Sequence, residues 1–380
     1  MTAAPPPVIA SDVKRASVSC GVGWSPLRFG RGDSGRKIAR LIFACLASLL
    51  IYALVFGFID DRPLALGFLR QQIDAKLARG ASINGPKLVI MAGSNGPYSH
   101  RCEVIEQMMA MPCVNAGVAV GIGLDYLFAR WWPLLHPGDL VYLPIEEEQY
   151  SRGHLATELG PDASIMFRHD WRTLAELPPQ RWVAALFSFD LPAALMGPIE
   201  IALVASDFHD PRQDMTGGTN AWGDHVGHTA AIAASNQGVL ASATSHHARA
   251  DEIRNGDGSA LIAAFVREAI ARGVNVVGGL PAEFADAPMP ETTQDAIRTL
   301  YLSNGADFLE LPNQSRYPRT AFFDTGEHLN ETWQIENSKL LAEEIRIYFL
   351  RRCTECADVT ASRAHCSKSS CLSNKSSGTR

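Results

Sequence analysis

Lys87-Leu88-Val89-Ile90-Met91-Ala92-Gly93-Ser94-Asn95-Gly96 carries the clearest mark of this chain's architecture. Leu88 to Met91 is a short, continuous apolar run with no polar alternation, as expected of a strand buried on both faces of a parallel sheet. It breaks at Gly93, where the chain can turn sharply, and a helical stretch is expected from about His100 to Met109. Further along the chain, Val114 opens a second short strand and Leu140 to Ile145 form a third. Val274–Val277 and Phe308–Leu311 follow as further strands. Helices are expected at about 62–80, Leu124–Leu135, Ser259–Arg272, Glu291–Ser303 and Glu331–Leu350. Strands alternating with helices give an α/β domain, with right-handed crossovers and a mainly parallel sheet covered on both faces. In such sheets ligands bind at the carboxyl ends of the strands. Residues 151–250, with a Gly/His-rich loop from Gly217 to His228, read as an insertion over the sheet that shapes the substrate cleft.

Before the sheet, Leu41 to Ile59 carries no charge. At 1.5 Å per residue such a run reaches across a hydrocarbon core of about 30 Å. Arg28, Arg31, Arg36, Lys37 and Arg40 precede it, and Asp60 and Asp61 follow. By the positive-inside rule this predicts a single-pass anchor with everything from Asp60 onward exported; a cleaved signal peptide is the alternative. The expected organisation is a disordered cytoplasmic leader (1–37), a transmembrane anchor (38–60), a juxtamembrane linker or helix (61–86), the α/β domain (87–350) and a disordered tail (351–380). Arg31-Gly32-Asp33 in the leader reads as chance.

Charged residues make up 19% and apolar residues 47% of the chain, with a formal net charge of -6. No basic stripe with interleaved aromatics occurs, so nucleic acid is set aside as a partner. Cys102 and Cys113 would fall in the exported domain, where either a disulfide or two cysteines held apart by an intervening helix is open. Cys353, Cys356, His365, Cys366 and Cys371 in the tail lack the repeated paired spacing of a zinc site.

The chemistry-bearing residues lie at opposite ends of the domain. Ser94, between a strand and a helix, would stand near N–H groups able to stabilise an oxyanion. A serine hydroxyl needs a base. Asp324 and His328 lie on one loop before the last helix, where the aspartate would hold the imidazole tautomer that frees the other nitrogen. His225 and His228 with Asp224 read as a substrate lid in preference to a metal site. His246 and His247 read as surface residues. Gly117, Gly121 and Gly123 do not complete a dinucleotide motif.

Taken together, Gly93-Ser94-Asn95, Val114-Asn115-Ala116-Gly117 and the Asp324–His328 loop resemble three blocks of the SGNH hydrolase superfamily. The closer resemblance is to its membrane-anchored branch linked to envelope and exopolysaccharide O-acylation. It covers about residues 87–350 and implies a flavodoxin-like three-layer fold preceded by one transmembrane helix. It also implies a catalytic set of Ser94, Asp324 and His328, and an oxyanion hole from the N–H groups of Ser94 and Gly117. The substrate cleft would involve Asn95, Asn115 and Glu146. No metal or organic cofactor is implied. The implied activity is esterase or acyltransferase, on O-acetyl groups of an exopolysaccharide such as cellulose. The implied setting is the periplasmic side of a bacterial inner membrane, beside a membrane-bound acyltransferase or polysaccharide synthase complex. The third block departs from the family pattern, since Leu143-Pro144-Ile145-Glu146-Glu147-Glu148 replaces Gly-x-Asn-Asp. The Asp324–His328 spacing is also one residue longer than usual. These departures motivate the alternative of a non-catalytic accessory protein that binds glycan or scaffolds a synthase.

Overall fold

The computed structural model describes residues 34–59, 64–151, 161–187 and 218–360, with isolated positions 202 and 206. The chain divides into two units, residues 1–54 and 55–380. In chain order the principal elements are α1 (Ser34–Ile59), α2 (Leu64–Ser82), β1 (Leu88–Ile90), α3 (Asn95–Ser99), α4 (Cys102–Met109), β2 (Cys113–Asn115), α5 (Leu124–Trp131), β3 (Leu140–Leu143), α6 (Asp257–Ala271), β4 (Asn275–Gly278), β5 (Glu283–Phe284), α7 (Glu291–Ser303), β6 (Asp307–Phe308), β7 (Arg316–Tyr317) and α8 (Glu331–Thr360).

Five strands form one parallel sheet in the order β2-β1-β3-β4-β6. Counted within the sheet this is 2-1-3-4-5, a common doubly wound order, with its switch point where β1 lies between β2 and β3. Leu88, Ile90, Leu140, Tyr142 and Val277 pack on one face with Cys102, Ile105 and Met109 of α4 and with Leu341 and Ile345 of α8. Val89, Val114, Val141 and Val276 pack on the other with α2, α5, α6 and α7. The architecture is therefore α/β in three layers, and the unbroken apolar runs follow from burial on both sides. Lys87 and Asp139, at the feet of β1 and β3, form an ion pair at 2.7 Å with neither side chain exposed. A second parallel pair, β5 with β7, lies outside the main sheet.

Several boundaries move. The third strand ends at Leu143 rather than Ile145, because Pro144 has no N–H to donate. The helix expected to reach Leu135 stops at Trp131 and tightens into a 3₁₀ turn, Trp132–Leu134, containing Pro133. The strand expected over Phe308–Leu311 is the pair Asp307–Phe308, short of Leu311. The last helix continues past 351 to Thr360, for Arg351–Thr360 contains neither glycine nor proline to stop it. The remainder of the tail lies outside the described residues, as does the leader up to residue 33. Within the insertion, helices form at Pro161–His169, Trp171–Glu176 and Pro179–Phe187.

The segment 61–86 is more than a linker. Ile73 and Leu77 of α2 enter the main core. Arg79 pairs with Glu106 at 2.7 Å and donates to the Cys113 carbonyl at 2.9 Å. Cys102 and Cys113 are joined by a disulfide, with Cα atoms 5.2 Å apart. Helix α4 does not hold them apart, because its left-handed cap at Ala110 (φ 52°) turns the chain back along it.

Among the described residues, no helix is long and apolar enough to cross a membrane. Helix α1 does cover the apolar run, and Leu41, Phe43, Leu46, Leu50 and Leu54 on it are all exposed. The side chains of Ala53 and of residues 55–60, which complete the expected anchor, lie outside the described residues.

Candidate active site

Ser94 follows β1 at the switch point, in right-handed helical conformation (φ −71°, ψ −23°) as the N-cap of α3. Glycines make the turn. A Cβ on Gly93 would lie 2.7 Å from Glu146 Oε1 and 2.8 Å from the Val120 backbone. The turn is held by Glu146, which extends from the end of β3. Its Oε2 accepts the Gly93 N–H at 2.8 Å and its Oε1 the Asn95 N–H at 2.7 Å. Glu146 is fully buried, and burial pushes its carboxyl upward against the lowering effect of those two N–H groups.

The expected cleft residues are therefore placed differently. Asn95, Asn115 and Glu146 are all fully buried. Asn95 spans from the Pro144 carbonyl at 2.9 Å to the Ala282 N–H at 3.4 Å. Asn115 donates to the Gly96 and His100 carbonyls at 2.9 and 3.1 Å. All three tie loops together, because their polar atoms are consumed by backbone groups that would otherwise be buried without partners.

Asp324 and His328 form the expected pair, with His328 Nδ1 and Asp324 Oδ1 2.7 Å apart. Their loop is pinned to α3. Ser99 Oγ donates to the Glu327 carbonyl at 2.7 Å and receives the Leu329 N–H at 3.4 Å. Helix α8 completes the join, since Gln334 donates to the Pro97 carbonyl at 2.6 Å and Asn337 to the Ser99 carbonyl at 2.7 Å. The short helix opened by Ser94 and the late loop bearing His328 thus share one rim of the sheet. Among the described residues no hydrogen bond joins the Ser94 hydroxyl to His328. Gly117 lies against the serine turn, but its N–H points to Asn115 Oδ1 at 3.3 Å, a long and weak contact.

Some contributors gave no sequence motif. Tyr98, on α3, lies between two imidazoles, His328 at 4.1 Å and His225 at 4.2 Å between ring centroids. Burial and the nearby Asp324 raise its phenol, so it stays neutral. His228 meets its edge at 5.3 Å. Burial pushes His225 down to about 3 and His228 down to about 4, so both are uncharged at neutral pH. Asp224 does not join them as a ligand. Its carboxylate accepts the Cys102 and Glu103 N–H groups at 2.9 and 3.3 Å, capping α4. Among the described residues no group of three His, Cys, Asp or Glu side chains is arranged to hold a metal ion. His247, expected at the surface, is half-buried and joins Glu147 at 2.7 Å and the Ala287 carbonyl at 3.0 Å. Lys76 is buried and donates to the Gly117 carbonyl. Its signal in the sequence was a charge on the apolar face that Leu69, Ile73 and Leu77 define.

Comparison with protein-family models, with curated proteins and with solved structures gave no match.

Proposed function

We propose that this chain is a serine-dependent acyl-ester hydrolase or O-acyltransferase of the SGNH type. It would be held by α1 at a bacterial inner membrane, with the α/β domain on the periplasmic side. The observation that carries the reading is the Asp324–His328 pair, at 2.7 Å, on a loop hydrogen-bonded to the same short helix that Ser94 opens. With Nδ1–H directed at Asp324, His328 Nε2 is the nitrogen available to take the serine proton. Ser94 Oγ then attacks the acyl carbonyl, and the tetrahedral oxyanion is stabilised by the N–H groups of Ser94 and Gly117. The imidazolium returns its proton to the departing alkoxide. Water or a glycan hydroxyl, deprotonated in turn by His328, attacks the acyl carbonyl, and His328 passes that proton to the Ser94 oxygen as the acyl group leaves it. The apolar, exposed α1 and the disulfide support an exported, tethered domain. A glycan substrate such as O-acetylated cellulose, and a neighbouring acyltransferase or synthase, rest on the family resemblance.

A second reading is favoured by a specific feature. Glu146 occupies the N–H groups on both sides of Ser94, and the Gly117 N–H is turned toward Asn115. A non-catalytic relative that binds glycan or scaffolds a synthase would tolerate that arrangement.

The deciding experiment treats detergent-purified full-length protein with a fluorophosphonate probe. Labelling that disappears in Ser94→Ala and His328→Ala supports the enzyme. Folded protein that never labels supports the binding module. Chromogenic acetyl and long-acyl esters then separate a deacetylase or acetyltransferase from a lipid hydrolase.

A further inference from the structure

Gly117 admits no side chain, because a Cβ would lie 2.7 Å from the Gly93 carbonyl oxygen, 2.9 Å from Pro97 Cδ and 3.0 Å from Gly96 Cα. The missing Cβ that allows this close approach also removes the steric restraint on the backbone. The stretch from Ala116 to Gly123 contains three glycines and forms neither helix nor strand. Something other than local conformation must therefore hold it against the serine turn.

We propose that Lys76 is the positioning residue of this segment, reaching in from α2 to hold the Gly117 carbonyl and so fix the Gly117 peptide beside Ser94. The geometry supplies both restraints on that glycine. Lys76 Nζ donates to its carbonyl oxygen, and Asn115 Oδ1 accepts its N–H. Lys76 is 2% exposed and sits one turn from Ile73 in the main core. The charged or titratable groups acting on it are Asp224 and His225. Burial pushes its ammonium down to about 7, against the pull of Asp224. A buried amine without a close carboxylate partner is poor at stabilising a core, and an apolar residue of the same volume usually serves as well or better. Its presence there is accounted for by the carbonyl it holds. The helix directly following α1 thereby contributes to the site, although it precedes the first strand.

The catalytic consequence rests on the serine-ester reading, whereas the positional claim does not, and the experiment separates them. Lys76→Met keeps length and volume and removes the donor. The expected result is an unchanged or higher melting temperature with faster amide hydrogen exchange across 116–123. Fluorophosphonate labelling of Ser94 slows about tenfold to a hundredfold, as small misplacements of catalytic groups do. Lys76→Arg, which retains a donor, recovers part of the labelling rate and of the exchange protection. Wild-type exchange and labelling in Lys76→Met overturns the proposal, and so does a lowered melting temperature with unchanged exchange at 116–123. If the wild-type protein does not label, the ester reading fails and the exchange comparison still decides the role of Lys76. If Lys76→Met does not fold, exchange in Lys76→Arg decides, and protection lost elsewhere but kept at 116–123 overturns the proposal.

Discussion

The imidazole of His328 lies flat on the ring of Tyr98, with centroids 4.1 Å apart and planes 13° apart. Asp324 fixes the imidazole within its plane through Nδ1, and Tyr98 fixes the tilt of that plane. Tyr98 is itself backed by His225, at 4.2 Å and 28°. Stacked pairs of this kind contribute about 0.5–1.5 kcal/mol beyond area burial. On the serine-ester reading, Tyr98→Leu is expected to slow fluorophosphonate labelling of Ser94 about fivefold to tenfold, while Tyr98→Phe, which keeps the ring, recovers part of the rate. Equal rates for the two variants would remove the stack from the site's account.

Glu327, next to His328, is pushed up to about 8 by burial and then by the carboxylates of Glu146, Glu147 and Glu148. The folded protein therefore keeps a proton on this side chain where the unfolded chain has lost it. Stability falls as pH rises from the ordinary glutamate range, about 4.3, toward about 8. Glu327→Gln should shrink the decline in melting temperature between about pH 5 and pH 8. Glu146, whose carboxyl is also raised, leaves part of that decline in place. A variant whose pH–stability curve superimposes on wild type would refute the assignment.

The Lys87–Asp139 pair is sealed beneath β1 and β3, and Asp139 also accepts the Lys87 and His136 N–H groups at 3.0 and 2.8 Å. Removing one partner strands the other charge. Lys87→Met alone is expected to cost about 3–5 kcal/mol of unfolding free energy, and adding Asp139→Leu to recover part of it. Recovery stays incomplete because two backbone donors lose their acceptor. Chemical denaturation measures both, and a double variant weaker than the sum of its singles would contradict this account.

The Cys102–Cys113 disulfide ties the start of α4 to β2, whose end leads to Gly117. Closing a loop of this length contributes about 2–4 kcal/mol. Reduction, or Cys102→Ser with Cys113→Ser, should lower the melting temperature by several degrees. Without reductant, neither cysteine should take up iodoacetamide in peptide mass analysis. Alkylation of both in native protein would show the bond absent.

The layering was legible because short apolar runs between glycine and proline stops, alternating with longer helical patterns, fit strands buried on both faces. Asp324 and His328 were legible for a different reason, being four residues apart on a loop that must close before a helix. Helix α3 was missed because a five-residue helix has no periodicity to read. The role of Glu146 was inaccessible for a similar reason. Its two acceptors meet donors more than fifty residues earlier, and nothing local distinguishes a buried clamp from a cleft residue.

Local pattern was enough to place the five strands of the main sheet in chain order, the apolar helix ahead of them and the candidate serine, aspartate and histidine, since each of these is read from neighbouring residues. Packing of distant segments was needed to bring the Ser94 helix and the His328 loop to one rim, to turn Glu146 and Asn115 inward and to carry Lys76 across to Gly117. Burial makes each polar atom find whichever partner the packed sheet brings near, and that choice is written in no single stretch of chain.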